Sequence, residues 1–201
     1  MDQKESGTIW TPANIVTCVR VVLVPLWLLI AEIARSSGAL GTGGALAWAS
    51  FVLYVFISLT DKLDGYLARS RGEVTDFGKF LDPIADKLSV VTAFLYLLEL
   101  GLVPSWAVLI VVAREFIISG LRMVVASKGV VVAASDLGKW KTATTMVSIC
   151  AYLLSVTVPV GDFANICRLV GLGSLIAALI LTAWSGIDYL VKCWPYVSGE
   201  K

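Results

Sequence analysis

Three stretches of this chain carry no charged side chain: Ala39–Thr60 over 22 residues, Thr142–Gly161 over 20 and Leu169–Ile187 over 19. A helix needs about 20 apolar residues to cross a bilayer. Irregular backbone and open sheet edges cannot cross, because their amides find no partner in lipid. Shorter apolar runs lie between these stretches, at Val21–Ala31, Leu88–Leu98 and Gly101–Ala113. Each abuts charge: Arg20 and Glu32, Asp86 and Lys87, Arg114 and Glu115. They extend to full spans if the charged ends face a cavity or the interface. The pattern predicts an all-α integral membrane protein of six transmembrane helices, near residues 14–34, 40–69, 79–100, 104–127, 136–160 and 165–191. Residues 1–13 read as a short polar N-terminal surface segment and residues 14–201 as one six-span domain. The first apolar run starts late and lacks a small-residue cleavage site, so it is expected to stay as a span.

Composition excludes the alternatives. The chain of 201 residues is 58% hydrophobic and 15% charged, where a soluble domain is roughly 45–50% apolar and about 25% charged. A water-soluble globule and a disordered chain are both ruled out. Six spans put both termini on one side. Lys4, Arg69, Arg71, Lys79, Lys128, Lys139, Lys141, Lys192 and Lys201 fall in the loops and ends of that side, against Arg35 and Arg168 opposite. The excess of basic residues predicts cytoplasmic termini.

Two counts narrow the chemistry. The chain has no histidine, which removes Ser-His-Asp and Cys-His triads, His-ligated zinc or haem, and phosphohistidine intermediates. The four cysteines (Cys18, Cys150, Cys167, Cys193) are scattered in or beside apolar runs and read as small packing residues. A net charge of +1 points to no nucleic-acid partner. Catalysis must therefore come from Asp, Glu, Lys, Arg and a metal.

Acidic residues concentrate between Thr60 and Ser89. Asp61 and Asp64 are spaced i, i+3 at the inner end of the second span; Asp82 and Asp86 are spaced i, i+4 at the inner start of the third. Each pair shares a helix face. A short loop joins the two helices, so the pairs can face one another. Four converging carboxylates repel unless a cation lies between them. Oxygen ligands without His or Cys favour Mg²⁺, Mn²⁺ or Ca²⁺ over zinc, and two ions sharing carboxylates suit phosphoryl transfer. Gly65 and Ala68 lie on the face of the first pair, Gly78 on that of the second, and these small residues leave a groove for a phosphate or a flat base. Arg69, one turn on, can hold a phosphate. An intramembrane prenyltransferase also uses Asp-rich helices and Mg²⁺, although its two acidic motifs are usually far apart. A divalent-cation transporter would carry its acids in mid-span rather than at the cytoplasmic ends.

These residues resemble a known family. The pattern D-x2-D-G-x2-A-R-x8-G-x3-D-x3-D is the signature of the CDP-alcohol phosphatidyltransferases, and Asp61, Asp64, Gly65, Ala68, Arg69, Gly78, Asp82 and Asp86 match it in full. The family's six-span architecture matches the hydropathy reading. Three further segments are similar to the bacterial members that use glycerol 3-phosphate: Asn14-x2-Thr17-x2-Arg20-x4-Pro25, Ala113-Arg114-Glu115, and Leu137-Gly138-Lys139-Trp140-Lys141-Thr142. One departure is that Pro12 is separated from Asn14 by Ala13, where those members carry a proline directly before the Asn.

The resemblance implies transfer of a phosphatidyl group from CDP-diacylglycerol to sn-glycerol 3-phosphate, giving phosphatidylglycerophosphate and CMP. It implies two ions, Mg²⁺ or Mn²⁺, held by Asp61, Asp64, Asp82 and Asp86, with Asp86 also the general base. Asp61, Asp64, Gly65, Ala68, Arg69, Gly78 and Asp82 would bind CDP-diacylglycerol. Asn14, Thr17, Arg20, Arg114, Arg122, Lys139 and Lys141 would bind glycerol 3-phosphate. An Arg in mid-span is costly in lipid, so Arg114 is expected to face a water-filled cavity or to pair with Glu115 or an Asp. Phosphatidylglycerol (giving cardiolipin), inositol phosphate and serine are alternative acceptors within the family. A multi-pass protein of the bacterial cell membrane is implied, forming homodimers, with its active site facing the cytoplasm.

Overall fold

The first helix, α1 (Pro12–Ser36), opens on a cap. The Thr11 side chain accepts a hydrogen bond from the Asn14 amide at 3.3 Å, and Pro12 occupies the first turn, where its missing N–H costs nothing. The computed structural model describes residues 11–71, 76–130 and 136–197, and the side chains of these except at residues 13, 61–71, 76, 79, 136 and 197. Five more helices follow: α2 (Ala45–Arg71), α3 (Asp76–Glu99), α4 (Ser105–Ser127), α5 (Asp136–Thr157) and α6 (Asp162–Val197).

Among the described residues the six helices lie within six residues of their expected bounds, yet the apolar length needed to cross a membrane is less evenly distributed than expected. Among the described residues, Asn14–Ser36 and Asp162–Tyr196 are long and apolar enough to span by themselves, and Ala45–Thr60 is a shorter apolar helix. The charge-free run from Ala39 does not become helical until Ala45. Gly41 and Gly43, both at φ 73°, hold the preceding residues in turns. In α4 the interruption is Arg114 and Glu115, and in α5 it is the pair of lysines at the helix start. At the other end of α3, the Gly101 amide bonds to the Leu98 carbonyl and the Leu102 amide to that of Leu97. Gly101 supplies the positive φ of 69° that this closure needs.

The chain divides into two units, Met1–Ala93 and Phe94–Lys201. In the first, α1 packs on α2. Val24, Trp27, Ala31 and Ala34 form one buried stripe of α1, and Ala47, Ser50, Tyr54 and Ile57 one of α2, both at helical spacing. The rings of Trp27 and Tyr54 meet at a centroid distance of 4.9 Å and an angle of 52°. Lipid is as apolar as these side chains, so close packing rather than expulsion from water holds such helices together, and small residues favour it.

In the second unit α6 packs on both α4 and α5. Ser148 Oγ donates to the Gly171 carbonyl at 2.9 Å. Gly171 leaves no room for a side chain: a Cβ there would lie 2.9 Å from Tyr152 Cγ. Ile118 and Val125 of α4 cluster with Tyr189 and Cys193 of α6. Large apolar side chains such as Leu29, Val52, Leu109, Ile176 and Trp184 point outward, the reverse of a soluble protein. The four cysteines are free, Cys167 and Cys193 buried and Cys18 and Cys150 half-buried, as packing residues would be.

Candidate active site

In the first unit, one face of α1 carries Asn14, Thr17 and Arg20 at successive turns, and all three are buried. Thr17 Oγ1 donates to Asp82 Oδ1 at 2.8 Å. Thr17, expected to contact the acceptor, therefore spends its proton on a carboxylate. Asp82 and Asp86 occupy adjacent turns of α3, with Gly78 buried one turn before and Ala85 and Ser89 buried beside them. Pro83, inside the helix, provides no amide between them. The backbone of α2 is helical through Arg71, so Asp61, Asp64, Gly65 and Ala68 keep their expected helical spacing. The side chains of Asp61, Asp64, Ala68 and Arg69 lie outside the described residues.

In the second unit, Arg114, Glu115 and Lys141 form one cluster. Lys141 Nζ and Arg114 Nη1 both donate to Glu115 Oε1, the latter at 3.1 Å. Arg114 Nη2 donates to Ser185 Oγ of α6 at 3.1 Å. The Arg114 stem runs beside Gly186, where a Cβ would lie 3.4 Å from its Cγ. The expected pairing of Arg114 with Glu115 is present. Lys141 is buried whereas Lys139 is exposed, because residues two apart on a helix do not share a face. Arg122 is also exposed and lies over the Tyr189 ring, 5.8 Å from its centroid, within range of a cation–π contact. Ser185 was not foreseen. Its only sequence signal is its place with Thr182 and Tyr189, a polar series at i, i+3, i+7 on an apolar helix.

A family model for the CDP-alcohol phosphatidyltransferases matches residues 10–184. The chain belongs to that family. Among curated relatives, the CDP-diacylglycerol–glycerol-3-phosphate 3-phosphatidyltransferase of Bacillus subtilis (strain 168) is 38% identical over 191 residues, covering 90% of this chain and 94% of that protein. An enzyme of the same name from Rickettsia bellii (strain RML369-C) is 37% identical over 189 residues, 91% of this chain and 95% of that one. A probable phosphatidylglycerophosphate synthase of Mycobacterium tuberculosis (strain ATCC 25618 / H37Rv) is 34% identical over 187 residues, 93% of this chain and 83% of its own. As a CDP-alcohol phosphatidyltransferase, the chain is a helical membrane protein and an enzyme.

CDP-alcohol phosphatidyltransferases generally use divalent metal ions. Among the described residues no three acidic side chains come together as a metal site, and the donors present are those of α3. Asp82 and Asp86 are hard oxygen donors one turn apart, and the Thr17 hydroxyl fixes one Asp82 oxygen while leaving the other to a ligand.

Proposed function

We propose that this protein transfers the phosphatidyl group of CDP-diacylglycerol to sn-glycerol 3-phosphate, releasing CMP. The observation that carries this reading is the set of relatives bearing that activity in their names, matched over nine-tenths of this chain. The buried cation cluster supports an anionic acceptor: Arg114 and Lys141 together offer a fork and a point charge suited to a phosphate.

In the reaction, the acceptor hydroxyl oxygen forms a bond to the phosphorus that bears diacylglycerol. The bond from that phosphorus to the oxygen of CMP breaks, and CMP leaves with the electron pair. The acceptor proton goes to the Asp86 carboxylate, the proposed general base. Asp61, Asp64, Asp82 and Asp86 would hold two ions, Mg²⁺ or Mn²⁺. Such ions, when bound, neutralise charge on the diphosphate and on departing CMP. Thr17 orients Asp82. Gly65, Ala68 and Gly78 would frame the cytidine, being small enough to leave room for a base, and Arg69 would hold a phosphate. Arg114 and Lys141 take the acceptor's phosphate, with Arg122 and Lys139 as exposed cations of the same unit. The roles of Asn14 and Arg20 in acceptor binding follow the family resemblance.

The same reading has all six helices crossing the membrane, both termini and the chemistry on the cytoplasmic side, and two copies forming a homodimer. An acceptor panel tests it. Purified protein with CDP-diacylglycerol and Mg²⁺ or Mn²⁺ is given glycerol 3-phosphate, phosphatidylglycerol, inositol phosphate or serine, and CMP release is followed. Turnover is expected with glycerol 3-phosphate. Faster turnover with any of the other three would overturn the acceptor assignment.

A further inference from the structure

Glu115 is the one acid in a cluster otherwise suited to binding an anion, and its geometry is unusual. Arg114 and Glu115 are consecutive on α4, and consecutive helical residues point about 100° apart. Even so, both Arg114 and Lys141 turn to the same oxygen, Oε1. The side chains of Arg114, Glu115 and Lys141 are 17%, 16% and 10% exposed, so the trio is largely withdrawn from solvent. Its net charge is one positive.

The carboxylate leaves donors available on both cations. Arg114 has five N–H donors and Lys141 three. Glu115 and Ser185 use two of the first set, and Glu115 uses one of the second. Arg114 Nε is buried and has no hydrogen-bond partner. Donors on both cations thus remain for a further anion while Glu115 stays in place. A carboxylate that merely filled the anion's position would have to be expelled first. One that gathers two cations from two helices through a single oxygen does not.

We propose that Glu115 is a positioning residue for acceptor recognition: its Oε1 holds the Lys141 ammonium beside the Arg114 guanidinium, and the assembled pair binds the acceptor's phosphate. Ser185 supplies the second anchor of Arg114. The inference rests on the acceptor assignment above and adds to it the acid that makes two separate cations one receptor. Without Glu115, two buried like charges repel and Lys141 loses its counter-ion. Each cation then has to be reoriented by the substrate itself, which weakens binding without altering the reacting atoms.

The test is steady-state kinetics on the full-length protein in detergent, varying glycerol 3-phosphate and CDP-diacylglycerol separately. Glu115→Gln is expected to raise KM for glycerol 3-phosphate by about tenfold or more, the scale of a charge-assisted contact. KM for CDP-diacylglycerol and kcat should stay within about twofold, the split expected when only ground-state binding is lost. In a Lys141→Met background the same change should have little further effect, since its object is gone. Equal effects in both backgrounds, or losses spread over kcat and both KM values, would mean a structural role and overturn the proposal. A lower KM in Glu115→Gln would also overturn it, by showing the carboxylate to be a competitor. If Glu115→Gln does not fold, Glu115→Asp serves: it keeps the charge but is one methylene too short to reach both cations, and an unchanged KM there refutes the proposal. Failure of the acceptor assignment looks different. In that case Lys141→Met alone leaves KM for glycerol 3-phosphate unchanged.

Discussion

Thr17 Oγ1 gives its proton to Asp82 Oδ1 across 2.8 Å, joining α1 to α3 over 65 positions of sequence. Thr17 is fully buried and Asp82 is exposed, so the hydroxyl holds the carboxylate from the protein side. A carboxylate intended for a metal ion benefits from such a partner, because orientation is settled before the ion arrives.

Replacing that hydroxyl isolates its contribution. Thr17→Val keeps the shape and removes the donor. A hydrogen bond to a charged group contributes about 1.5–3 kcal/mol, so the Mg²⁺ or Mn²⁺ concentration giving half-maximal CMP release should rise by roughly tenfold or more. Thr17→Ser should restore the wild-type value. An unchanged metal dependence in Thr17→Val would show that Asp82 needs no orienting partner.

Asp86 tests the proposed base. Asp86→Asn is nearly isosteric and removes the proton acceptor. CMP release should fall by at least about 10²-fold, the lower range for loss of a general base. Thermal unfolding in detergent should move little, because the change adds no volume. Retained turnover would exclude Asp86 as the base.

How far the sequence could be read depended on the range of the interactions involved. The helices were legible because each is set by local signals: the cap at Thr11, the glycine turn before Ala45, the closure at Gly101. The spacing of Asp82 and Asp86 on one face followed from helical periodicity alone. The partners of these residues were less accessible. The bond from Thr17 to Asp82 was hidden because nothing in the neighbourhood of Thr17 announces an aspartate 65 residues away. Glu115 was a candidate partner of Arg114 through adjacency, but its bond to Lys141 joins residues 26 apart on different helices. Two lysines that look equivalent in the sequence differ in burial because a helix turns them to different faces. Charge-free length also overstated the α2 span, since hydropathy counts the glycines of a turn as readily as those of a helix.

Gly171 predicts a stability effect with an identifiable cause. A methyl placed there would meet the Tyr152 ring at 2.9 to 3.1 Å, closer than packed carbons approach. Gly171→Ala should therefore destabilise the α5–α6 pair by about 1–3 kcal/mol, the usual cost of overpacking, seen as a lower melting temperature in detergent. Tyr152→Leu in the same chain removes the ring and should recover part of the loss. No recovery would place the strain elsewhere.

Lys139 and Lys141 predict opposite salt behaviour. Lys141 is buried in the trio with Glu115 and Arg114, whereas Lys139 is exposed on the other side of α5. An exposed charge acts through solvent, where its influence is at most about 1 kcal/mol and is screened within ~3 Å at 1 M salt. Lys139→Met should therefore lower kcat/KM for glycerol 3-phosphate by no more than about fivefold at low ionic strength, with the difference from wild type vanishing at high salt. Lys141→Met should lower it more, and the deficit should persist when salt is raised, because counter-ions do not reach a contact made inside the protein. Measuring both variants across a salt series decides the matter: parallel curves would mean that the two lysines act alike and that burial does not separate their roles.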